Sequence, residues 1–313
     1  MATPLLPTEP APVTRWDAAL TARFLIPAQD ALMDFFLALR RDTDQELVQA
    51  MALRPGRPYP LGCCQEITLD VLQRLGRRLE KPDHRGARAL CAFMDAGGIG
   101  RCVWGVLRNR YFQNALQFGG LYVDVANDTV TVTKPKVEIL PMAQSGLVAV
   151  RGPEHYATIA SLYWGLEVYA NHALPSLSPI LPMIAATPGT VPVLMSATKY
   201  MVGMSLRDQF SQTEAWLAQG PAPPLDIMEA IRARCPADLL ETNPCATREA
   251  AVVACQAARA AGLASNADWC GARLEDYRRI HPNHPNASPA LPPALSPPLM
   301  IRSKTGRRGQ LRK

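Results

Sequence analysis

The chain is 313 residues long, 48% hydrophobic and 19% charged, which suits one large domain or two ordinary ones with a substantial core. No run of about 18 apolar residues occurs, and the start, MATPLLPTEPAPVTRW, has no basic-then-apolar leader, so neither a membrane span nor a cleaved export signal is expected. The net charge of +6 belongs to one end: Arg302, Lys304, Arg307, Arg308, Arg312 and Lys313 fall in a stretch without acids, and the first 300 residues sum to zero. There is therefore no basic domain face for nucleic acid, and the tail alone is suited to touching anionic surfaces.

Residues 1–13 hold four prolines and read as disordered. Thr14 and Asp17 resemble a capping box opening a helix; a second helix is expected over 28–41, and Thr43 with Glu46 reads as the start of a third. Prolines 55, 58 and 60 forbid helix over 54–62. Ile67, Val71, Leu72 and Leu75 then mark the buried stripe of a helix whose first turn carries Cys63 and Cys64, and a further helix over 85–96 stops at Gly97-Gly98.

From residue 99 the period becomes that of strands. IGRCVWGVL, RYFQNALQF, LYVDVA and TVTVTK read as four short strands, with a hairpin turn at Gly119-Gly120, another turn at Asn127-Asp128, and a fifth strand near 137–140. Beyond 150, helices are expected over 153–168, 205–218, 225–234, 247–261 and 267–279, with a proline-rich separator at 174–193. The expected class is α+β: N-terminal helices, a central antiparallel sheet of four or five strands, and a C-terminal helical region. The expected divisions are a loose 1–13, an α+β core over 14–200, a helical region over 201–280 and a proline-rich, basic tail over 281–313.

Eight cysteines, at 63, 64, 91, 102, 235, 245, 255 and 270, include no C-x2-C pair and no common zinc spacing; they read as free thiols of a reducing, cytoplasmic setting. No Gly-rich phosphate loop follows a strand, so no cofactor and no metal is expected. The strongest chemical signal is Gly62-Cys63-Cys64 at a helix start, where free N–H groups favour thiolate over thiol and can hold an oxyanion.

Three segments in order, Gly62-Cys63-Cys64, then Gly97-Gly98-Ile99-Gly100-Arg101-Cys102-Val103, then Leu121-Tyr122-Val123-Asp124, resemble the transglutaminase-like branch of the papain-type thiol enzymes over about 65 residues. The resemblance implies Cys64 as nucleophile and Asp124 as the residue orienting a base. Where that family has its strand histidine, this chain has Tyr111-Phe112-Gln113-Asn114, and no histidine occurs from 85 to 154. That leaves an inactive site, an amide of Gln113 or Asn114 standing in, or a histidine brought from elsewhere, for which His172, read as a helix-exit residue, is the candidate. Cys63, Gln113 and Asn114 then become substrate contacts. The expected activity is thiol-dependent hydrolysis or acyl transfer at an amide or peptide. The alternatives are a non-catalytic binding or regulatory module with a protein partner, and an effector exported without a cleaved signal.

Overall fold

The structure, a computed structural model, describes residues 5–6, 8–52, 58–195, 199–281 and 300–301. The basic tail and most of the proline stretch before it lie outside the described residues. Contacts divide the chain into two units. One comprises Thr8–Ala149 with the strand Met300–Ile301; the other comprises the described part of Val150–Ser296 with Leu5 and Leu6. The division falls ahead of residue 200, where the sequence pattern suggested a boundary.

The first unit opens with α1 (Arg15–Leu20), whose Thr14–Asp17 capping box is formed in both directions. α2 (Gln29–Met51) is one continuous helix. Thr43 is not the cap of a new helix: it is buried mid-helix, its hydroxyl donating to Asp70 Oδ1 at 2.5 Å, and no glycine or proline interrupts the run. α3 (Cys64–Glu80) and α4 (Arg85–Asp95) follow, α4 ending at Gly97 with φ +93°. They pack with α2 on one face of an antiparallel sheet made of β1 (Gly100–Leu107), β2 (Tyr111–Phe118), β3 (Leu121–Asp124), β4 (Glu138–Pro141) and β5 (Leu147–Val148), in the order β4-β3-β2-β1-β5. A one-turn helix, α5 (Met142–Ser145), joins the last two.

Two expectations change here. TVTVTK is not a strand: residues 127–134 form turns because buried Arg40 reaches across to the loop. Its guanidinium pairs with both oxygens of Asp128 at 2.8 and 3.0 Å and donates to the Val125 carbonyl at 2.9 Å. Local strand propensity yields to that tertiary anchor. Nor are residues 8–11 loose. Thr8 O accepts from Trp104 N–H, and Ala11 exchanges two hydrogen bonds with the Gln117 amide. The strand Met300–Ile301 pairs with β1 opposite Arg101 and Gly100.

In the second unit, α6 (Pro153–Trp164) ends at Gly165 in the left-handed region. A second antiparallel sheet then forms from β6 (Glu167–Ala170), β7 (Met183–Ala186) and β8 (Val193–Leu194), where the sequence suggested only a separator. The helices α7 (Lys199–Arg207), α8 (Ser211–Gln219), α9 (Leu225–Arg232), α10 (Ala237–Glu241), α11 (Arg248–Ala260) and α12 (Ala267–Ile280) complete it. No helix among the described residues is long and apolar enough to cross a membrane.

Candidate functional site

The Cys63-Cys64 corner is held from both sides. Gly62, at φ +69°, donates its N–H to the Thr129 carbonyl at 2.9 Å, so the loop pinned by Arg40 also fixes the start of α3. Cys63 is the N-cap and supplies no side-chain cap. Its thiol faces the core and lies 3.6 Å from the Leu61 carbonyl, so this side chain packs among the buried residues of the unit.

Cys64 is half-buried, and its Sγ accepts from Asn114 Nδ2 at 3.5 Å. Burial pushes its thiol above the ordinary value; the Asn114 donor works against that, while the charges of Asp124 and Glu66 add to the rise. Burial thus acts against the lowered thiol that a helix start favours.

Asp124 closes β3 and is fully buried. It accepts from Gln113 Nε2 with both oxygens (3.0 and 2.8 Å), from Tyr122 Oη at 2.9 Å and from the Ala126 N–H at 2.8 Å. No cation faces it in that set, and burial raises its carboxyl to about 6, those donors pulling the other way. Leu116 stands opposite Val123 in the β2–β3 register. Side-chain alternation then puts Asn114, Leu116 and Val123 on the helix-covered face and Gln113, Tyr122 and Asp124 on the other. Of the expected residues, the structure joins Cys64 to Asn114 and Asp124 to Gln113, but the pleat separates the two pairs.

His172 belongs to the other unit and does not exit a helix; it follows β6. Its Nε2 lies 2.9 Å from the Leu217 carbonyl, a contact in which the ring donates, and burial lowers its pKa, with Arg248 adding to the effect. It is engaged as a structural donor within its own unit. His84 is the N-cap of α4, Nδ1 accepting from Gly86 N–H at 3.1 Å and the ring stacked on Phe35. Among the described residues no three His, Cys, Asp or Glu side chains converge.

A cleft of about 600 Å³, absent from the sequence expectations, opens in the second unit between the start of α6 and α8. Arg151, Glu154, His155, Gln212, Trp216 and Gln219 line it. The signal was present in Gly152-Pro153, a glycine N-cap followed by proline at the first helical position. A Cβ at Gly152 would collide with Gln212 Oε1.

The chain matches no protein-family model, no curated protein and no solved structure.

Proposed function

We propose that this protein is a non-catalytic binding or regulatory module whose cysteine-bearing helix serves as scaffold, on a plan resembling the transglutaminase-like thiol enzymes. The observation that carries this reading is the Cys64–Asn114 contact: the group meeting the sulfur is an amide, which accepts no proton near neutrality. Without a general base a thiol attack forfeits about 10² to 10⁴ in rate. Burial acts in the same direction by favouring the neutral thiol. Eight free cysteines support a reducing compartment.

The test is alkylation of the full chain by iodoacetamide across pH, with each cysteine followed by peptide mass spectrometry. Cys64 is expected to react more slowly than exposed Cys245 at neutral pH, with a midpoint above about 8.5. A Cys64 midpoint below about 7, with labelling faster than that of Cys245, would overturn the reading in favour of a thiol hydrolase.

A further inference from the structure

The cleft between α6 and α8 carries an inference independent of the thiol, because none of its lining residues belongs to the unit that holds Cys64. Its volume of about 600 Å³ falls in the range of small-molecule sites. Four of its polar side chains make no hydrogen bond or ion pair among the described residues. Arg151 and Glu154 are exposed, one positive and one negative, and neither is ion-paired among the described residues. The Gln212 and Gln219 side-chain amides likewise have no partner there, although the Gln212 main-chain N–H caps onto Asp208.

His155 adds a fixed wall. Its Nδ1 accepts the Arg151 N–H at 3.1 Å, which places the proton of the neutral ring on Nε2, and that atom is buried without a partner among the described residues. Burial and the nearby Arg151 charge both disfavour imidazolium, so the ring contributes no second positive charge. Trp216, tied by Nε1 to the Pro182 carbonyl at 3.0 Å, supplies rigid aromatic surface. Among the described residues lining it a single cation, Arg151, argues against a polyphosphate, and a carboxylate on the same turn argues against a simple anion. One charge of each sign beside two primary amides complements a zwitterion with an amide between or near its ends.

We propose that this cleft binds a free amino acid or short peptide, its carboxylate taken by Arg151, its ammonium by Glu154, and its amide groups by Gln212 and Gln219. The test is calorimetric titration of the full chain with free amino acids and a panel of Gly-X dipeptides, followed by the N-acetylated and C-amidated forms of the tightest binder. Saturable binding is expected for the free zwitterion, with each blocked form about tenfold weaker or more. Arg151→Gln should erase the discrimination against the amidated form, and Glu154→Gln the discrimination against the acetylated one. Both positions are exposed, so both variants should keep the parent melting temperature. The proposal is overturned by the absence of saturable binding for the whole panel at millimolar concentration. It is equally overturned by blocked forms that bind as well as the zwitterion, or by variants that leave both discriminations intact.

Discussion

The two faces of β2 and β3 hold polar groups of similar composition and opposite energetic character. On the helix side, Cys64 and Asn114 make one long contact at a half-buried position. On the other side, Asp124 is sealed and takes bonds from Gln113, Tyr122 and the Ala126 N–H. A cysteine, an amide and an aspartate in the right chain order thus fall into two sets. The set that looks nucleophilic is weakly held, and the set that looks auxiliary is a buried structural network. Chain order alone does not assemble a site when adjacent strand residues point to opposite faces.

The largest effect expected from this difference is on stability. Asp124→Ala leaves the Gln113 amide, the Tyr122 hydroxyl and a main-chain N–H buried without their acceptor, and should cost about 3 kcal/mol or more by chemical unfolding. Cys64→Ala should cost less than about 1 kcal/mol. Equal costs would erase the distinction between the faces.

A second consequence is pH dependence of comparable size. Because burial raises the Asp124 carboxyl from 3.8 to about 6, the folded chain holds a proton that the unfolded chain releases in between. Stability from this group is greatest below about pH 4 and declines as pH rises toward 6, by about 3 kcal/mol. Tyr122 and Gln113 face the carboxyl from β3 and β2, and Glu138 stands opposite it on β4, paired to Arg108 at 2.6 Å. Asp124→Asn should flatten that part of the profile. A parent and an Asn variant with the same slope between about pH 4 and 6 would place the carboxyl elsewhere.

The smallest effect sharpens the other face. Asn114→His puts an imidazole beside Sγ and should raise Cys64 alkylation at neutral pH about tenfold. Adding Asp124→Asn to that variant should keep the gain or add slightly to it, since the aspartate lies across the sheet and its charge only raises the thiol. A loss of the gain in the double variant would mean that the two faces communicate after all.

Local chemistry made several elements legible. Thr14 and Asp17 announced α1, the apolar stripe from Ile67 to Leu75 marked α3 with Cys63 and Cys64 at its start, and Gly119-Gly120 marked the β2–β3 hairpin. What escaped was set by distant partners. The alternating Val and Thr of 129–134 look like a strand until Arg40, more than eighty residues earlier in the chain, claims Asp128. Thr43 looks like a cap until Asp70 accepts its hydroxyl. The second sheet hid in a proline-rich stretch: β7 fits between Pro182 and Pro188, and β8 starts directly after Pro192, which leaves only short β segments. At the candidate site, Cys64 and Asn114 were legible as neighbours of a helix start and a strand, whereas the orientation of Asp124 depended on a register that no local motif encodes.

The edge of β1 is completed by Thr8 from near one end of the chain and by Met300–Ile301 from near the other. During synthesis the strand Met300–Ile301 leaves the ribosome only after the whole intervening unit has been made, so the nascent sheet waits with part of its border open. An unfinished polypeptide would expose that ladder to other chains, which makes translation stalls in the late proline-rich stretch a route to aggregation before folding is complete.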